Sequence, residues 1–170
     1  SRGLVGSEMC IRDRVGVVGD IEPEDLSGLL DRVFADLPET AKVADVPDAE
    51  PRIANTVSVL DLDVPQSRIV FGSTGIQRSD PDWYAAYVLN YILGGNSLTS
   101  RLGLEVRERR GLAYGISTYL YPLDHAGLHM GSVGTQNSRV AETLSVVRAE
   151  LARLREDGVT PEELEDAKTY

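Results

Sequence analysis

The sequence predicts an α+β fold, a two-layer sandwich in which a mostly antiparallel sheet has helices packed on one face. Short segments with apolar residues at every second position predict strands, and longer segments with apolar residues every three or four positions predict helices. Their order, with strands before helices, then a hairpin and then further helices, favours this class. A chain of 170 residues with 42% hydrophobic side chains can bury one sizeable core.

The first elements alternate between a strand and a helix. Residues 15–21, VGVVGDI, have the apolar content of a buried strand. Pro23 then begins a helix with an apolar stripe along one face, and Pro38 ends it. The following residues 39–52 hold two prolines and several acids without a period, which indicates a surface connection.

Two strands and an apolar helix follow. Residues 56–63 and 67–76 alternate apolar and polar side chains and are separated by Pro65. Asp80 and Pro81 begin a helix to Leu93 with little polar face, and we expect this helix to be mostly buried.

The segment 93–114, LGGNSLTSRLGLEVRERRGLAY, predicts a helix between two glycine stops. Gly94 and Gly95 end the preceding helix, and Asn96 or Ser97 can cap the next one. The new helix places an apolar residue at every fourth position and puts Arg101 and Glu105 at pairing distance; its apolar residues are Leu98, Leu102 and Val106. Gly111 ends it before an alternating strand.

A hairpin and two helices complete the chain. Residues 113–121 and 127–135 predict paired strands joined by a turn rich in Pro, Asp and Gly. A long helix begins near Val140 and ends at Gly158. Thr160 and Glu163 form a capping box with Pro161 at the first helical position, and this last helix has run only to Tyr170, so we expect the domain to be truncated at its C-terminus.

The first fourteen residues, SRGLVGSEMCIRDR, show neither a hydrophobic period nor turn chemistry. Residues 4–14 match one reading frame of a transposase-type sequencing adapter, so we expect an artefact or a disordered tail here and a single domain over 15–170. Cys10, the chain's single cysteine, lies in this segment, so no disulfide is expected. The net charge of −10 becomes −11 without it, and an acidic surface disfavours nucleic acid as a partner. No apolar run is long enough to predict a membrane span.

The pattern from VGVVGDI through GGNSLTSRL and EVRERRGLAY to VTPEELEDAKTY resembles the C-terminal half of the insulinase/pitrilysin family of inverted zinc metallopeptidases. The resemblance covers nearly all residues after Arg14 and implies the same α+β architecture. It further implies that two such domains sit in one subunit and that two subunits or halves, in a homo- or heterodimer, enclose a chamber for peptide hydrolysis.

The resemblance maps two substrate-binding residues onto this chain, Arg107 and Tyr114. A guanidinium offers several donors to peptide carbonyls, and a phenol hydroxyl can donate to an oxyanion formed when water attacks the scissile bond. Composition alone favours another interpretation, in which Arg107 is one of several solvent-exposed charges on its helix and Tyr114 is a strand aromatic residue in the core. Arg109 and Arg110 compete with Arg107 if the helix phase differs.

The zinc motif of the family, H-x-x-E-H, is absent. The two histidines, His125 and His129, have helical ligand spacing but lie in a turn and a strand, with no glutamate between them. We therefore expect no metal and no catalytic residue in this chain, with zinc held in the zinc-bearing N-terminal domain or partner subunit of a bacterial parent protein.

These expectations give one leading function and two alternatives. The leading function is the substrate-binding, non-zinc domain of a metalloendopeptidase that acts on peptides or unfolded polypeptides, without nucleic acid or membrane as a partner. In the first alternative, the parent is a catalytically inactive partner or scaffold subunit. In the second, the chain is a stand-alone α+β ligand-binding domain. The sequence does not separate bacterial cytoplasm from periplasm.

Overall fold

The computed structural model describes residues 15–36, 46–52, 55–96 and 98–169. The chain divides into two units, Ser1–Val46 and Pro47–Tyr170. The first fourteen residues, the end of the first predicted helix and the candidate cap Ser97 lie outside the described residues. No described helix has the length and apolar character needed to span a bilayer.

The first unit contains helix α1 (Pro23–Phe34), as the sequence predicts. Proline stands in its first turn beside two acidic residues, and Arg32 lies in its last turn, an arrangement that suits the helix dipole. The strand predicted at residues 15–21 is wrong, because these residues form no regular element. Their apolar side chains are exposed, Val18 fully so, and a strand requires a paired neighbour that its own sequence cannot supply.

The second unit holds a three-stranded antiparallel sheet. Its strands are β1 (Gln66–Thr74), β2 (Ala113–Leu123) and β3 (Ala126–Gln136), in the order β1-β3-β2. The predicted hairpin is therefore confirmed, with β3 in the centre. The strand predicted at residues 56–63 is wrong, since residues 55–62 have no regular structure and their apolar side chains are exposed.

Helices cover one face of this sheet, which confirms the predicted α+β class. They are α2 (Trp83–Asn90), which continues into a π-helical turn (Tyr91–Gly95), the π-helical α3 (Gly103–Arg109), α4 (Val140–Asp157) and α5 (Pro161–Thr169). The buried cluster between the layers consists of Leu93, Leu102, Val106, Leu112, Ile116, Val133 and Val147. Ile69 and Phe71 of β1 pack against it, so the intervening residues of β1 point to the open face of the sheet.

The surface of α2 differs from the prediction. We expected the helix to Leu93 to be mostly buried; Trp83, Ile92 and Leu93 are buried, whereas Tyr84 and Tyr87 are exposed. The guanidinium of Arg78 lies 5.5 Å from the centre of the Trp83 ring, a cation–π distance.

Candidate functional site

The candidate site lies where α3 turns into β2. The amide of Gly111 donates to the carbonyl of Arg107 at 3.0 Å, and the amide of Leu112 donates to that of Val106 at 2.8 Å. Gly111 has a φ of 55°, the left-handed conformation that closes a helix end. This short turn places Arg107 at the end of α3 and Tyr114 at the start of β2, at the same end of the sheet.

A β-bulge determines the direction of Tyr114. Ala113 pairs with Thr135 and Ile116 pairs with Val133, so β2 has one more residue than β3 between these two pairs. Tyr114 and Gly115 thus both lie opposite Gly134. The side chains of the two flanking residue pairs face the helices. Tyr114, which lies in the bulge between these pairs, faces the open side of the sheet, where its side chain is 96% exposed.

Arg107 belongs to the helical layer, on the covered face of the sheet. The helix α3 packs through Val106 against the covered face, and Arg107 is half-buried at its C-terminal end. Its Nε lies 3.4 Å from Oε1 of the neighbouring Glu108, and both side chains are partly exposed, so this pair holds the guanidinium weakly. Among the described hydrogen bonds and ion pairs, none joins Arg107 to Tyr114, and their joint contact with a ligand stays a prediction.

The competing arginines are engaged elsewhere. Arg109 and Arg110 each donate to one carboxylate oxygen of Glu105, which is buried. Burial tends to raise the pKa of Glu105, but the donors of Arg110 and Arg109 outweigh it, so that this pKa is lowered. Both arginines therefore stabilise a buried charge in α3.

A partly buried ion pair joins α5 to the helical residues that directly precede α3. Arg101, 6% exposed, donates from Nε to Oε1 of Glu163 at 2.6 Å and from Nη2 to Oε2 at 2.7 Å. Nη2 also donates to the carbonyl of Gly158 at 2.8 Å. The predicted pairing of Arg101 with Glu105 is wrong, because Arg101 turns toward α5.

Glu163 also forms the predicted capping box. Its Oε2 accepts from the amide of Thr160 at 2.7 Å, while its own amide donates to the Thr160 hydroxyl at 3.2 Å. The hydrogen bonds from Arg101 lower the pKa of Glu163 to about 2, although burial opposes the shift. The capping box is confirmed, and it shares its carboxylate with the helix that carries the candidate site.

Residues 14–170 match the family profile described as "Peptidase M16 inactive domain". The chain belongs to this family. The membership confirms the resemblance to insulinase/pitrilysin-type metallopeptidases and identifies the chain as an inactive domain of a protein similar to zinc proteases.

Named relatives and a solved structure agree with this assignment. An uncharacterized zinc protease of Streptomyces coelicolor is 36% identical over 113 residues, 66% of this chain and 24% of that protein. A Helicobacter pylori protein named a non-peptidase homolog is 27% identical over 153 residues, 89% of this chain and 35% of that protein. The crystal structure of a peptidase M16 inactive domain from Pseudomonas fluorescens has a TM-score of 0.78 and 33% identity, and the match covers 89% of this chain and 37% of that one.

The M16 inactive domain described here has no donor set that fits zinc. His125 lies in the hairpin turn with Nδ1 3.5 Å from Asp48, whereas His129 of β3 has Nε2 3.1 Å from Oδ1 of Asn90. Burial lowers the pKa of His129, which favours a neutral ring with a hydrogen-bonding role. No group of three or more metal-ligating side chains occurs within the described residues.

Two features of the M16 inactive domain site escaped sequence reasoning. One is the bulge at Tyr114, for which the isolated Gly115 inside a strand pattern was an available signal. The other is Arg68 of β1, which pairs in register with Gly134 and so lies in the same cross-strand row as Tyr114. No local signal reveals this row, because it depends on the pairing of strands far apart in sequence.

Proposed function

We propose that this chain is the substrate-binding, non-zinc domain of a metalloendopeptidase that hydrolyses peptides inside a closed chamber. Arg107 and Tyr114 contact the bound peptide in this proposal. The zinc and the water that attacks the peptide bond belong to a zinc-bearing domain or partner subunit in a homo- or heterodimeric parent, since the described residues lack a fitting donor set.

One observation carries the proposal, namely the bulge that exposes Tyr114. An extra residue in β2 interrupts the sheet ladder at this point, and bulges of this kind often redirect a side chain beside a functional site. A tyrosine side chain that is 96% exposed gains little from packing. Its hydroxyl is thus available to a ligand, and in this proposal it donates a hydrogen bond to the oxyanion of the tetrahedral intermediate.

Arg107 has a complementary role. Its weak pair with Glu108 leaves most guanidinium donors free for peptide carbonyls, and a planar donor fork orients the backbone more strictly than an ammonium would. Positioning and oxyanion stabilisation require no proton transfer by either residue. The isolated domain is therefore expected to show no peptidase activity.

The test uses the full-length parent assembly with a fluorogenic peptide. Tyr114→Phe removes a single donor, and we expect kcat/KM to fall about 100-fold, as for the loss of one oxyanion donor. Arg107→Ala should lower kcat/KM about tenfold with the larger change in KM, because it removes peptide binding. Zinc content, measured by mass spectrometry, should stay unchanged in both.

Matched controls come from the same domain. Tyr121→Phe alters another exposed tyrosine of β2, and Arg148→Ala alters an exposed arginine of α4. Neither should change turnover. Wild-type kcat/KM in both Arg107→Ala and Tyr114→Phe would refute the assigned roles.

A second candidate is a catalytically inactive partner subunit. The observation that favours it is the H. pylori relative named a non-peptidase homolog. If the purified parent assembly contained no zinc and failed to cleave denatured polypeptides, while still binding them, this candidate would replace the first.

A further inference from the structure

On the open face of the sheet, Arg68 and Tyr114 lie in one row across the three strands. The proposed function gives no role to Arg68. Arg68 pairs with Gly134, and Gly134 lies opposite the bulge formed by Tyr114 and Gly115. The centre of the row therefore has no side chain. Neighbouring strands are about 4.8 Å apart, so the backbones that carry Arg68 and Tyr114 are separated by about 10 Å.

A groove of about 480 Å³ lies beside this row, with residues of all three strands in its lining. Its lining includes Arg68 on β1 and small residues on the other two strands, namely Gly115, Ser117, Ser132 and Gly134. A Cβ atom added at Gly115 or Gly134 would have no neighbour within 4 Å, so the groove is open above both glycines.

The charge of the groove favours an acidic side chain. The guanidinium of Arg68 has no hydrogen bond or ion pair to any described residue, although seven of the twelve described arginines form ion pairs. An arginine fork binds a carboxylate in bidentate geometry. The small lining residues leave room for that carboxylate beside Arg68.

We propose that Arg68 is a specificity-determining residue: the groove receives a glutamate or aspartate side chain of the peptide that Tyr114 contacts. This inference rests on the proposed function and names the substrate class of the same site. The arginine selects the peptide register and takes no part in hydrolysis.

The experiment measures equilibrium binding of two fluorescent peptides to the full-length parent assembly by anisotropy. The peptides differ by one Glu→Gln exchange, and the exchange is moved along the peptide so that each position is tested. At one position we expect the Glu peptide to bind about fivefold more tightly at low salt, a ratio in the range of solvent-exposed ion pairs. Arg68→Gln should bring this ratio to about one, and Arg68→Glu should reverse the preference toward a Lys peptide.

Two further variants complete the test. Gly134→Val fills the groove beside Arg68 while keeping the arginine and should also remove the preference, whereas Arg148→Gln on α4 should preserve it. A Glu preference that survives Arg68→Gln, or the absence of any preference in the wild type, overturns the proposal. Tyr114→Phe should lower kcat/KM and leave the binding ratio of the two peptides unchanged, so wild-type turnover in that variant counts against the proposed function while the Arg68 ratio still decides this inference.

Discussion

Glu163 performs two tasks with one carboxylate. It closes the capping box with Thr160, and it neutralises the buried Arg101, which lies in the helical residues directly before α3. A buried charge that loses its partner is costly, because the remaining ion has neither water nor counter-charge around it. This residue therefore couples the last helix to the element that carries Arg107.

We predict that Glu163→Gln lowers the free energy of unfolding by about 3 kcal/mol at neutral pH. The folded pKa of Glu163, about 2, is below its ordinary value of 4.5. Its stabilising effect is thus complete above about pH 4.5 and is lost as the pH falls from there toward 2. Urea unfolding from pH 7 to pH 3 should show the difference between wild type and variant shrinking with acidity.

The control is Glu162→Gln, which alters the neighbouring exposed carboxylate of α5. It should change stability by less than about 0.5 kcal/mol at any of these pH values. A pH-independent loss in the Glu163 variant would show that the ion pair contributes little and that packing explains the effect.

A second residue-scale prediction concerns Gly94. A Cβ added there would lie 2.6 Å from Oγ1 and 3.0 Å from Cγ2 of Thr118, so only glycine lets the π-helical turn approach β2 this closely. We expect Gly94→Ala to cost about 2 kcal/mol despite the better helix propensity of alanine. Adding Thr118→Ala removes both obstructing atoms and should recover part of the loss in a double-mutant cycle.

Gly134→Ala provides the comparison, because a Cβ at that position meets no atom within 4 Å. Its cost by chemical denaturation should stay below about 0.5 kcal/mol. Strict additivity of the Gly94 and Thr118 substitutions would contradict the close approach as the cause.

At the scale of elements, the sequence pattern correctly predicted the helices and the hairpin, which local interactions determine. The hairpin and α4 follow from alternation, helical period and the stop at Gly158, whose φ of 71° suits glycine. Residues 15–21 and 56–63 have equally good strand patterns, but strand formation depends on a partner elsewhere in the chain. Pattern alone cannot supply that partner.

The π-helical geometry of α3 explains the misassigned ion pair. In a regular α-helix, Arg101 and Glu105 would share a face. In the structure Glu105 contacts Arg109 and also Arg110, five residues later, the spacing of a π-helical turn. The sequence motif at residues 93–114 predicts Arg107 and Tyr114 as site residues. The position of Arg68 near Tyr114 follows only from the register of the strands.

At the scale of the molecule, the hydrophobic core belongs to one unit. Within the described part of the chain, every residue of the buried cluster and every partly buried apolar side chain packed against it lies between Ile69 and Leu154. The sheet and helices α2 to α5 lie in the unit Pro47–Tyr170. The candidate site, its bulge and the groove are parts of the same unit.

We therefore predict that a chain reduced to residues 47–170 folds with the same sheet and core. Its transition in urea should stay cooperative, and its free energy of unfolding should match that of the 170-residue chain within about 1 kcal/mol, because the core loses no member. Hydrogen exchange should find the slowest amides in β2 and β3, whose hairpin contributes Ile116 and Val133 to the core. Rapid exchange of the central strand β3 in the shortened chain, or loss of its cooperative transition, would mean that the first unit is needed to stabilise the second.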